Sequence, residues 1–155
     1  MHVRLTPAEG MALAQIAGVE VPPAVTSVTA EGGVVRVVAD LRKLDELPSA
    51  LKLAVKVAPI VRAEVRILSY AEGRATLGVE VNAARLPAHK LLGLLSEPIE
   101  HQLVKQGLPA GAVDVRHDAT VVVDVERLLA EKAPGVDVTR LAVDDDEIVV
   151  DASVS

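Results

Sequence analysis

The stretch Val61-Arg62-Ala63-Glu64-Val65-Arg66-Ile67, with the return Ala75-Thr76-Leu77-Gly78-Val79-Glu80-Val81 after the turn Ala71-Glu72-Gly73-Arg74, decides the class of this fold. Over 61–67, small and branched apolar residues alternate with arginine and glutamate. Successive side chains of a strand point to opposite sides, so one face is apolar and the other charged. On the return, Leu77, Val79 and Val81 share a face. The turn carries a glycine that can take positive φ, and the whole predicts an antiparallel hairpin.

The same layout occurs on either side. Val25 to Ala30 and Val34 to Leu41 are β-branched runs flanking Glu31-Gly32-Gly33, and Val136 to Val143 returns through Asp144-Asp145-Asp146-Glu147 to Ile148–Val154. Ala112 to Arg116 and Ala119 to Val125 read as further strand. The three hairpins form a weak internal repeat, which common hairpin chemistry explains as well as common ancestry does.

Helices fill the intervals. Thr6 with Glu9 makes a capping box, Pro7 sits at the first helical position, and Gly18 is a natural stop, so a short helix is expected from about 7 to 17. Pro22 and Pro23 then break the chain. A second short helix, about Val125 to Ala133, carries Leu128 and Leu129 and ends at Pro134-Gly135. Asp45 to Ala58 fits either a helix or a strand; a helix ended by Pro59 is preferred.

The strongest helical pattern runs from Pro87 to Gln106. At about 100° per residue, Leu91, Leu92, Leu94, Leu95, Ile99 and Leu103 fill an apolar arc of roughly 180°, while Lys90, Glu97, Glu100 and Gln106 face away. Pro98 should kink this helix or divide it, and Gly107 should end it. The fold expected is therefore α+β. A curved antiparallel sheet of β-hairpins packs on a long amphipathic helix, with short helices at the N-terminus and before the last hairpin. At 155 residues the chain suits a single domain, 1–155.

Composition narrows the function. Half the residues are apolar, yet Tyr70 is the single aromatic, so the core is Val, Leu, Ile and Ala and offers no rings for stacking on bases, sugars or flavins. The net charge of −6 opposes binding to nucleic-acid backbones and to anionic headgroups. Without cysteine there is no disulfide, thiolate nucleophile or thiolate metal site. No apolar run reaches the roughly 18 residues of a membrane span, and Met1 to Leu5 leads into a helix start, not a signal peptide. A cytoplasmic location is the expectation.

The search for chemistry returns mostly absences. G-x-S-x-G, the P-loop and G-x-G-x-x-G are all missing, and Glu31-Gly32-Gly33 and Gly107-Leu108-Pro109-Ala110-Gly111 read as ordinary turns. His89 and His101 stand twelve residues apart, about 120° round a helix, and so do not share a ligand set. His117 with Asp114 and Asp118 reads as a polar edge. Asp144 to Glu147 lacks the central glycine and final glutamate of a calcium loop and reads as an acidic hairpin tip. No catalytic residue, cofactor or metal site emerges, and the chain reads more as a binder than as an enzyme.

Apolar binding remains. A groove lined by Leu91, Leu92, Leu95, Ile99 and Leu103, without aromatics or charges, suits a lipid or another apolar small molecule. The same residues would equally fill a dry core. The alternative role is a protein-interaction or self-assembly domain, in which the apolar helix and sheet surface forms a homo-oligomer or docks a partner.

The closing segment from Val136 to Ala152, Val-Asp-Val-Thr-Arg-Leu-Ala-Val-Asp-Asp-Asp-Glu-Ile-Val-Val-Asp-Ala, resembles the strand-turn-strand units of bacterial proteins in the tubular lipid-binding (TULIP) superfamily. So does the alternation of hairpins with a Leu-rich helix from Leu86 to Gly107. The resemblance covers about half the chain through general layout and has no diagnostic motif. It implies a long curved sheet wrapped round a helix, with a groove that holds lipid tails. The chain departs from that group in lacking a secretion signal and the aromatics that often line such grooves.

Overall fold

A computed structural model of the chain describes residues 1–18, 23–43, 49, 52, 55, 56, 59–82, 100, 101, 103–105, 107–116 and 118–155. The chain enters with β1 (His2–Leu5) and α1 (Pro7–Ile16). Next come β2 (Val25–Glu31), β3 (Val34–Asp40) and a 3-10 turn (Leu41–Lys43), then β4 (Ile60–Ala71) and β5 (Arg74–Asn82). The second half holds β6 (Val113–Val115), β7 (Thr120–Asp124), α2 (Val125–Lys132), β8 (Val136–Asp144) and β9 (Glu147–Val154). The chain is an α+β protein dominated by antiparallel strands, with the expected short helices at the N-terminus and before the last hairpin.

The described strands divide between two sheets. Six lie in the order β2-β3-β4-β5-β7-β6 and three in the order β1-β9-β8. This corrects the expectation of one curved sheet. β8 and β9 pair with each other, and β9's remaining edge is taken by β1, with Val3 opposite Val150 and Leu5 opposite Ile148. β1 itself was not anticipated: four residues are too few for an alternation to stand out beside the helix cap that follows.

Within the larger sheet the register aligns the apolar faces into rows. Val28, Val37, Ala63 and Val81 stand across β2 to β5, and Ala30, Val35, Val65 and Val79 form the next row. On the opposite face Arg36, Glu64 and Glu80 form a charged row. Arg36 pairs with Glu64 at 3.6 Å, and Arg66 pairs with Glu80 at 3.6 Å. Leu68 is an extra residue, a bulge between the pairs Ile67–Leu77 and Ser69–Thr76. It shifts the alternation by one, so that Tyr70 stands opposite Ala75 on the apolar face. Leu68 is left 59% exposed over Gly78.

Among the described residues, hydrogen bonds join the sheets at Tyr70 and at the hairpin tips. The Tyr70 hydroxyl donates to the Val138 carbonyl at 2.9 Å. At the hairpin tips, the Gly32 N–H donates to the Asp145 carboxylate at 3.0 Å and the Gly33 N–H to the Asp145 carbonyl at 3.2 Å. The acidic tip expected at 144–147 is thus a docking corner. Arg4 Nη2 reaches Asp144 at 2.8 Å and its Nε reaches Glu147 at 3.2 Å.

The helix ends follow the sequence closely. Thr6 Oγ1 accepts the Glu9 N–H at 3.2 Å while the Glu9 carboxylate accepts the Thr6 N–H at 3.1 Å. The carboxylate of Asp124 caps α2 by accepting the Arg127 N–H at 3.0 Å. Of the expected helix at 45–58, the described residues 49, 52, 55 and 56 are helical. Of the long helix expected at 87–106, residues 100, 101 and 103–105 are helical and the remainder lies outside the described residues. No helix of the described residues is long and apolar enough to cross a membrane.

Candidate apolar binding site

The expected ligand-binding residues divide at this point. Leu91, Leu92, Leu95 and Ile99 lie outside the described residues. Leu103 is described: it is helical, half-buried, and lines a hollow of about 280 Å³. Glu100, His101 and Val104 share its helical segment in the lining, and Leu108, Pro109, Ala110, Gly111 and Val113 complete it from the returning chain.

Backbone chemistry explains why these two segments meet. The Gly107 N–H donates to the Val104 carbonyl at 3.1 Å and the Leu108 N–H to the Leu103 carbonyl at 3.1 Å. Gly107 holds φ at 97°, a left-handed conformation that costs a side-chain-bearing residue about 1 kcal/mol or more. The two bonds and the left-handed residue make a Schellman stop, in which the residue after the glycine turns back onto the last helical turn. Leu108 is thereby brought to the same hollow as Leu103. The expected stop at Gly107 is borne out, and it builds half of the site.

The rest of the lining is fixed from below. The Ala112 N–H donates to the Pro109 carbonyl at 3.2 Å, and the Ala112 carbonyl accepts the Asp124 N–H at 2.7 Å. Ala112 is almost wholly buried. The loop is thus tied to the residue that caps α2, and α2 runs beside it. A Cβ placed on Gly111 would lie 3.3 Å from Arg127 Nη1, and one placed on Gly107 would lie 3.4 Å from Lys132 Nζ.

The polar candidates take up structural partners. His117 lies outside the described residues, while Asp114 pairs with Arg116 at 3.3 Å. Asp118 accepts the Thr120 N–H at 3.3 Å, and its hydrogen bond from the Thr120 hydroxyl holds its carboxyl below the usual range. His2 hydrogen-bonds Asp151 across β1 and β9, which lowers the Asp151 pKa. Asp40, buried at the end of β3, is forked by Arg42 through Nε and Nη2, each at 2.9 Å, and this pairing lowers its pKa. His101 is exposed at the hollow's rim, and His89 lies outside the described residues. Among the described residues no group of histidines and acids has the geometry of a metal site.

Three comparisons, with protein-family models, with curated proteins and with solved structures, find no match for this chain.

Proposed function

We propose that the chain is a non-enzymatic binding module for an apolar small molecule, held in the hollow at Leu103. The observation that carries this reading is the lining itself. Leu103, Val104, Leu108, Pro109, Ala110 and Val113 converge from a helix end and its return, and among the described lining residues the polar side chains are those of Glu100 and His101. Ligand sites have this character, a concave apolar wall with few polar groups. Leu91, Leu92, Leu95 and Ile99, expected from the sequence to share this site, lie outside the described residues. The resemblance to the tubular lipid-binding superfamily points to the same ligand class. Native mass spectrometry of the purified chain tests the reading: added mass from a co-purified amphiphile, or uptake of a fluorescent lipid analogue, supports it. A clean mass with no uptake of either removes it.

A second reading, docking of another protein or a second copy, has its own observation. Among the described residues β2 is an edge strand with no further strand beside it, seven residues long and without Lys, Arg or Pro, the devices that blunt such edges. Beside it α1 leaves Leu13 50% and Ile16 83% exposed. Light scattering that gives a strict monomer at high concentration removes the self-association version.

A further inference from the structure

The hollow at Leu103 has cationic groups beside it and a size, and together these select a ligand class. We infer that it takes a medium-chain carboxylate, with the alkyl chain against Leu103, Leu108 and Val113 and the carboxylate met by Arg127 at the Gly111 end. This inference rests on reading the hollow as an apolar-ligand site.

Two observations carry it. First, Arg127 Nη1 lies 3.3 Å from the Cβ position of Gly111, a lining residue, and among the described residues its guanidinium makes no hydrogen bond or ion pair. The Lys132 ammonium is likewise unpaired among the described residues and stands beside Gly107, at the start of the same loop. Most described arginines of this acidic chain are engaged with carboxylates, Arg4, Arg36, Arg42, Arg66 and Arg116 among them. A guanidinium without a partner among the described residues, next to a lining residue, supplies the charge that a carboxylate head needs and suits it geometrically. Glu100, on the helical side of the lining, repels an anion there and sets the orientation, with the head toward Gly111.

Second, volume limits the chain. A cavity of about 150 Å³ accommodates benzene, so 280 Å³ takes roughly ten carbons.

The test is calorimetry on the full chain with decanoate, decanol and decylamine, and with carboxylates of increasing length, all below their micelle concentrations. Affinity should rise about threefold to fourfold per methylene and level off near ten carbons. Decanoate should bind about tenfold tighter than decanol, as expected for a charge-assisted hydrogen bond at a partly exposed site. Arg127→Gln should bring that ratio to about one, and Arg127→Lys should restore part of it. In the unaltered chain, added salt should lower the ratio too, so the charge assignment does not hang on one variant. Equal binding of decanoate and decanol, or a ratio untouched by Arg127→Gln, overturns the carboxylate assignment. Tighter binding of decylamine does the same and gives the head group to Glu100. Binding of none of the three removes the underlying apolar-ligand reading instead.

Discussion

Tyr70 and Val138 sit on different sheets and are joined by one hydrogen bond, hydroxyl to carbonyl at 2.9 Å. That bond exists because of the bulge at Leu68: without the extra residue, Tyr70 would fall on the charged face with Arg66 and Glu64. Tyr70→Phe leaves the Val138 carbonyl without this partner while keeping the ring. It should destabilise the chain by about 1 kcal/mol, read from the midpoint of denaturant unfolding with an unchanged slope.

As the single tyrosine, Tyr70 reports its own surroundings. Burial raises its pKa, and the negative charges of Asp137, Glu126 and Asp124 add to the shift. A group whose folded pKa is raised contributes stability that is complete below its unfolded pKa and lost as pH climbs through the folded value. Phenolate absorbance should therefore titrate above about 10 in the native chain and fall back to that value in denaturant. Stability should decline on the alkaline side over the same interval. A native midpoint at or below the free value would place Tyr70 in water.

Two glycines should respond to alanine in opposite directions. Gly73, in the β4–β5 turn, has φ at 75°, and a Cβ there would lie 2.7 Å from the Cβ of Glu126 in α2. Gly73→Ala should cost more than about 1 kcal/mol through backbone strain and displacement of α2. Gly10, inside α1, has open space where a Cβ would go. Gly10→Ala should raise stability by up to about 1 kcal/mol, because helical alanine forgoes less chain entropy than glycine. Thermal melts of the two variants decide both.

Asp40 links stability to acid. Its carboxyl lies below the ordinary range chiefly through the Arg42 hydrogen bonds, against an opposing cost of burial. A depressed folded pKa gives stability that is present above the unfolded pKa, about 3.9, and lost as pH falls through the folded value. Asp118 and Asp151 shift in the same direction, through Thr120 and His2. Arg42→Gln should therefore move the onset of acid unfolding to higher pH. An unchanged acid profile would show that the Arg42 fork does not hold Asp40 ionised.

Much of the architecture was legible because it depends on neighbours in sequence. The alternation of 61–67 and 75–81, the glycine turns, the Thr6–Glu9 cap and the Pro134-Gly135 stop are local devices, and β2–β3, β4–β5, β8–β9, α1 and α2 stand close to where those devices put them. What depends on distant partners was not. The pairing of β1 with β9, the split into two sheets and the Gly32–Asp145 corner bring together residues more than a hundred positions apart. The bulge at Leu68 hid the true face of Tyr70, since period-two counting has no place for an extra residue. Around the hollow, Leu103 was named from its helical stripe, whereas the other lining residues Val104, Leu108, Pro109, Ala110 and Val113 were not. One signal did exist: a glycine stop after an amphipathic helix turns the next residue back on the helix, which points Leu108 at Leu103.

The central claim is most directly tested by methyl NMR during titration with decanoate. The methyl resonances of Leu103, Val104, Leu108 and Val113 should shift together along one saturating curve, while those of Leu13, Ile16 and Leu68 stay in place. Shifts confined to those exposed residues, or no shift at the hollow at saturating ligand, would contradict a binding site at the end of this helix.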